Sequence, residues 1–239
     1  YTFNTYMQTL SNNFVSSRLL TNTMINSDNS FTDPIYYVAS EPLTFDHDVT
    51  FTNCTIYCAY TDYNDIDNTQ WTVEPGYTIT FENCTIKSGC PDRMWKGIVI
   101  EGNNSATQST STHGMVDIKQ SSVIADAMVA LKSVEGGIIK ANNSEFRNNQ
   151  CDLYFDEYGN KHTQTVVRGN TFITLDGGLN DHTIHPKNHI HMNAVNGIAI
   201  KSNTFRNENI DADISKWGTG IYSYSSGYVV SPRVLSGSN

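Results

Sequence analysis

The stretch "DHTIHPKNHIHMN" at 181–193 carries four of the seven histidines in the chain, His182, His185, His189 and His191, with Asp181 at its head. Imidazole is both a metal ligand and a base that titrates near neutrality. His189 and His191 are two apart, so on a strand they would face the same way and could share a metal. The alternative is a long polar insertion whose histidines are solvated, which Pro186 and Lys187 favour. Segments of this kind carry function more often than stacked strands do.

The five cysteines are Cys54, Cys58, Cys84, Cys90 and Cys151. No Cys-x-x-Cys pair occurs, which argues against structural zinc. Cys58 and Cys90 stand at similar offsets after two related segments, and a disulfide between them suits an exported protein. Candidate acids are Asp117, Asp152, Asp156 and Glu157, together with "DADIS" at 211–215, an Asp-x-Asp. Glycoside hydrolysis needs two such carboxylates held across a bond. Elimination on a uronate needs a base and cations, for which Lys119, Arg168 and Lys201 are candidates. No acid pair sits near a Gly-His-Gly or Arg-x-Lys element, and those cations also suit a plain solvated face. Tyr57, Tyr60 and Tyr63 in "YCAYTDYND", and Tyr222, Tyr224 and Tyr228 further on, are rings that could stack on sugars or pack over strands.

These groups are positioned by a repeat. "FTNCTI" at 51–56 returns as "FENCTI" at 81–86, five of six residues alike. The same apolar, small-polar, apolar pattern recurs as "IKQSSV" from 118, "ANNSEF" from 141, "VRGNTF" from 167 and "IKSNTF" from 200. The steps are 30, 37, 23, 26 and 33 residues. Apolar Val49, Ile79, Val116, Ile139 and Ile198 stand two positions before most of these hexads, the alternation of a half-buried strand. The middle positions hold Asn, Gly, Ser and Gln, residues suited to a left-handed turn. Cys54 and Cys84 would stack about 4.8 Å apart on consecutive coils, heading a column of small residues that continues as Ser121, Ser144, Asn170 and Asn203. A second family of strands, "WKGIVIEG", "AMVALKSVEGG", "CDLYFDEYG" and "WGTGIYSYSSG", ends in glycine.

A fixed strand–turn–strand core with irregular spacing predicts an all-β chain, a right-handed parallel β-helix whose insertions bulge out as loops. A β-sandwich would need hairpin signals, and Asn196-Gly197, the one Asn-Gly, precedes a strand. Residues 41–239 read as the solenoid, continuing past the end of the chain. Residues 1–40 read as a cap, a preceding coil or the end of an upstream region. The 26 asparagines outnumber the 15 Lys and Arg, and charged residues make up 16%, which suits turn-rich β structure rather than helix. The net charge of −9 and the absence of a basic run argue against nucleic acid. No stretch approaches the roughly 20 apolar residues of a membrane span. Tyr1, without Met or a charged leader, reads as the start of a processed or excised piece.

"MWKGIVIEGN", "IKQSSVIADAMVAL", "GGIIKANNSEFRNN" and "GNTF" resemble the right-handed β-helix repeats of large secreted Bacteroidota proteins, many of them type IX secretion substrates. The resemblance covers roughly 43 to 224, and the sorting domain of that family is not among these residues. It implies an extracellular or cell-surface location. The reading is a structural stalk or adhesin-like module that contacts glycans or other surface proteins, with no cofactor. The alternative is a polysaccharide lyase or glycoside hydrolase with a cleft on one face.

Overall fold

The computed structural model describes residues 17–27, 29–32, 36–39, 41–59, 70–209 and 217–232. Three all-parallel sheets run the length of this region and form a right-handed parallel β-helix. The pre-turn sheet stacks Ser30–Thr32, Val49–Thr52, Thr78–Glu82, Met115–Lys119, Ile138–Asn142, Val166–Arg168, Asn196–Lys201 and Gly227–Ser231. The post-turn sheet stacks Ser17–Leu20, Tyr36–Ala39, Thr55–Cys58, Thr85–Ser88, Val123–Ala125, Glu145–Arg147, Thr171–Thr174 and Thr204–Asn207. The third sheet stacks Leu43–Phe45, Trp71–Val73, Ile98–Glu101, Val129–Val134, Cys151–Phe155, Asn188–Asn193 and Thr219–Tyr224. Each coil visits them in that order. Strands preceding residue 41 therefore pair within the same sheets as those that follow it.

Alternation along each strand decides what lies inside. Val49–Thr52 buries every second residue, as do Thr55–Cys58 and Thr78–Glu82, because successive side chains on a strand point to opposite faces. Register then lines like residues into columns. Phe31, Phe51 and Phe81 stack at 4.9 and 5.3 Å between ring centroids, and the column continues through Ile118, Ala141, Val167 and Ile200. Across the turn Phe146, Phe172 and Phe205 stack at 5.1 Å each. The one helix among the described residues, Asn22–Ser27, buries Ile25 against this core. Its first turn is capped by the Thr21 hydroxyl, which accepts from the Met24 N–H at 3.2 Å. No helix among the described residues is long and apolar enough to cross a membrane.

Phe81 is fully buried between Phe51 and Ile118. Phe81→Ala is expected to destabilise the fold by about 3–5 kcal/mol, read as a lower denaturation midpoint. A loss below about 1 kcal/mol would show that the column is not continuously packed.

The turns explain the hexads. Asn53, Asn83, Gln120, Asn143, Gly169 and Ser202, the third residue of each, all have φ between 50 and 69°. That conformation favours Gly and Asn and accepts short polar residues. Gly169 is further constrained, since a Cβ there would lie 2.3 Å from Asn143 Oδ1. One coil departs from the expected register. Gln120 and Ser121 are both left-handed, which inserts a residue, so Ile124 rather than Val123 stands opposite Ile86. Ser122 therefore takes the column place that Ser121 was expected to fill. It is fully buried, and its Oγ accepts from the Cys84 N–H at 3.1 Å.

The column is a chain of side-chain caps on backbone amides. Asn170 Oδ1 accepts from the Ser144 N–H at 3.1 Å, and Asn203 Oδ1 accepts from the Asn170 N–H at 2.8 Å. Buried amides left open by each turn are thereby paired from the next rung. Cys54 and Cys84 occupy the same column with their sulfurs 3.5 Å apart. The hydrogen bond between them holds the Cys54 thiol up and the Cys84 thiol down. The expected Cys58–Cys90 disulfide is not formed: all five cysteines are buried free thiols. Register is the reason, because Cys58 stands opposite Ser88, and Cys90 lies two residues beyond, where the Ser88 hydroxyl binds its backbone N–H and carbonyl.

Candidate glycan-binding face

Alternation on the third sheet turns one residue per rung outward immediately after the core aliphatics Leu131, Leu153, Ile190 and Ile221. Those residues are Lys132, Tyr154, His191 and Tyr222, directly opposite one another in register. Lys132 Nζ lies 5.4 Å from the Tyr154 ring centroid. Tyr154 and His191 stack at 4.5 Å with 27° between planes, and His191 meets Tyr222 at 4.9 Å and 48°. Sharing faces along the stack, the rings direct their polar edges away from the core. The Tyr154 and Tyr222 hydroxyls make no hydrogen bond to another described residue.

Polar groups flank this column. Asp156 meets Lys132 at 3.6 Å and accepts from the Asn193 side-chain amide at 3.3 Å. His191 Nδ1 is 3.2 Å from the Asn188 amide nitrogen, so it accepts, and the ring proton sits on Nε2. Desolvation pulls the His191 pKa below its usual value, with Asp156 opposing, which leaves the ring neutral at pH 7. Desolvation, then Asp156, pushes the Tyr154 phenol up. Tyr222 is 47% and Tyr224 65% exposed. The face thus presents hydroxyls, an imidazole N–H, an ammonium and a carboxylate at one-rung spacing, about 4.8 Å.

The other candidates are distributed over the whole stack. Tyr57 lies under Lys87, whose Nζ is 5.2 Å from the ring centroid, whereas Tyr60 and Tyr63 lie outside the described residues, as does "DADIS". Lys119, Arg168 and Lys201 share one outward column of the pre-turn sheet, but Lys119 is engaged by Glu82 at 2.7 Å and Asp117 at 3.9 Å. The four histidines separate. His182 and His185 line a cleft of about 280 Å³ with Asp176 and Asn209, and His182 Nε2 is 3.9 Å from Asp92.

His189 turns toward Phe172 and Phe205, at 6.1 and 5.9 Å, and its Nδ1 meets the buried Asp152 carboxylate at 2.6 Å. It therefore does not converge with His191, and among the described residues no three His, Cys, Asp or Glu side chains are grouped to hold a metal.

Sequence reasoning missed a buried cluster beneath the insertions. Gln108 from one loop donates to His162 Nδ1 at 2.9 Å and to the Gly136 carbonyl at 2.8 Å. Its own Oε1 accepts from the Gln164 N–H at 2.9 Å, which fixes the amide orientation. Tyr158 donates to the Ala106 carbonyl at 2.6 Å and stands 3.3 Å from His113 Nε2. Among the described residues His162 Nε2 has no hydrogen-bond partner, and the ring packs edge-on to Phe155 and Tyr158. Desolvation, then His113, pulls His162 down to about 4. Tyr222 and His191 were singled out separately in the sequence, but their alignment with Tyr154 and Lys132 in one outward column was missed, although Lys132, Tyr154 and Tyr222 each follow the core aliphatic in a strand of the second family.

Compared with protein-family models, with curated proteins and with solved structures, the chain matches none of them.

Proposed function

We propose that this chain is a rigid glycan-contacting module of an exported cell-surface protein, and that the third sheet is its contact face. The observation that carries this reading is the Lys132–Tyr154–His191–Tyr222 column, whose two phenol hydroxyls have no hydrogen-bond partner among the described residues while the rings hold one another in place. A preordered row of aromatic rims and hydrogen-bonding groups suits an extended polymer of hydroxyl-bearing rings, because little side-chain entropy is lost on contact. Export and surface location rest on the resemblance to secreted Bacteroidota repeats.

Retention on immobilised neutral and acidic polysaccharides tests the proposal. Tyr154→Ala and Tyr222→Ala are each expected to weaken retention about five- to tenfold, as loss of an aromatic contact of about 1 kcal/mol implies. Retention unchanged in both variants would remove this face from the binding reading.

One observation supports the alternative of a polysaccharide lyase or glycoside hydrolase: the buried Asp152 carboxylate fixes the His189 imidazole, as an orienting acid fixes a general base. That reading requires new reducing or unsaturated chain ends to accumulate with the intact protein and to vanish in His189→Ala. No release from any glycan tested would end it.

A further inference from the structure

Arg168 and Lys201 stand directly opposite each other on adjacent rungs of the pre-turn sheet, both exposed. Their neighbours in the same outward column are Asn142 on one side and Ser231 on the other. Like charges placed opposite each other on a sheet repel. A chain with 24 acidic residues against 15 basic ones has ample means to neutralise them. Five cations are neutralised in this way, Arg93 by Asp181, Lys119 by Glu82, Lys132 by Asp156, Arg147 by Glu145 and Arg206 by Glu208, and what sets Arg168 and Lys201 apart from the other unpaired cations is that they face each other across one rung. Neither Arg168 nor Lys201 has an acid partner among the described residues.

The adjoining turn opens a groove of about 230 Å³ lined by Ser121, Asn143, Ser144, Gly169 and Thr171, with Glu145 at its side. Gly169 keeps the groove floor low, since it follows Arg168 directly and carries no Cβ. Hydroxyls and a side-chain amide thus lie beside the turn that Arg168 enters, with Lys201 one rung further on.

We infer that Arg168 and Lys201 form an anion clasp for an acidic polysaccharide, one negative group seated between the two cations and sugar hydroxyls entering the turn groove. An arginine fork and a lysine ammonium suit a carboxylate or a sulfate equally. An anion between them removes their mutual repulsion as well as adding its own attraction, so the site favours the bound state twice over. Lys119, which shares the column, contributes less because Glu82 already holds it. This inference rests on the reading of the chain as a glycan-contacting module and adds a second face, selective for charge.

The test is affinity electrophoresis of the whole chain in polygalacturonate, in a sulfated galactan and in an uncharged glucan, at low and high salt. Wild type is expected to be retarded by one or both acidic polymers, less so at high salt because exposed charges are screened. Arg168→Gln with Lys201→Gln is expected to weaken this about tenfold, the scale of two exposed charge contacts, while Lys119→Gln changes it less than twofold. Which acidic polymer responds assigns carboxylate or sulfate.

Thermal unfolding supplies an independent readout. The double variant is expected to melt no lower than wild type, because repulsion has been removed, and polygalacturonate or the sulfated galactan should raise the midpoint of wild type alone. Equal retardation of the double variant and wild type overturns the clasp. Equal binding of single-stranded DNA overturns the assignment to a polysaccharide. Loss of all retention in Tyr222→Ala with none in the double variant leaves the third-sheet reading standing and removes the clasp. Retardation by no polymer removes both.

Discussion

Gly97→Ala is expected to cost about 4 kcal/mol or more, a fall in melting temperature on the order of 10 °C for a chain of this size. Gly97 has φ of +101° and is buried. A Cβ placed there would lie 1.6 Å from the Val129 carbonyl oxygen and 2.7 Å from its carbon. Neither atom can swing aside, because both belong to the backbone of the next rung. The carbonyl of Lys96 accepts from the Val129 N–H at 3.2 Å, and the carbonyl of Gly97 accepts from the Trp71 N–H at 3.1 Å.

Relief of the overlap therefore has to pull apart rungs on both sides of Gly97. The rigid stack transmits that displacement to the Trp71–Trp95 packing at 5.5 Å. Gly177→Ala is the control. Gly177 has a similar φ of +91°, but a Cβ there meets nothing within 4 Å, so only backbone strain of about 1 kcal/mol is expected. Thermal melts of the two variants separate overlap from strain. A Gly97→Ala midpoint as close to wild type as that of Gly177→Ala would show that the rungs yield easily.

The second large effect is a dependence on pH that the intact protein conceals. The folded pKa of His162 is about 4 against an ordinary value of 6.5. Above pH 6.5 neither folded nor unfolded chain holds the proton, and the full stability is present. As pH falls from 6.5 to 4 the unfolded chain takes up a proton that the folded chain refuses, which costs about 3 kcal/mol. Geometry enforces the refusal. His162 Nδ1 accepts from the Gln108 amide, so a proton placed there would face another donor.

Asp126 works in the opposite sense over much of the same range. Desolvation, opposed by Lys87 and Arg147, raises its carboxyl from 3.8 to about 6. The folded chain then binds that proton more readily than the unfolded one, and stability rises as pH falls from 6 to 4. The two slopes largely cancel in the wild type. Asp126→Asn, tolerated at its φ of 58° because asparagine accepts the left-handed region, should expose the histidine slope. Adding His162→Phe should abolish it. Denaturant unfolding at pH 7, 5.5 and 4 measures the difference between the two variants, in which all other titrating groups cancel. Equal slopes would show that His162 is not held neutral by folding.

These two effects mark where legibility ends. Gly97 was readable in part, since "WKGIVIEG" announced a strand beside a glycine, but the approach of Val129 depends on how the neighbouring rung is set. The His162 cluster was not readable at all. Gln108 and His162 are 54 residues apart in two insertions whose sequences carry no periodicity, and only the stacking of coils brings them together.

The sequence by itself determined the all-β class, the six turns and the inward face of the strands that meet at them. These follow from period-two alternation and from the few residues that accept a left-handed backbone, both of which act over six or seven neighbours. Tertiary structure decided everything that depends on which residue lies one rung away. It put Ser122 rather than Ser121 in the column, set Cys58 against Ser88 instead of Cys90, and sent His189 to Asp152 and His191 to the tyrosines. It also neutralised Lys119 with Glu82 while leaving Arg168 beside Lys201. The physical reason is that coil length varies from 23 to 37 residues, so the partner across a rung is fixed by register and by the docking of insertions, neither of which is written in any local stretch.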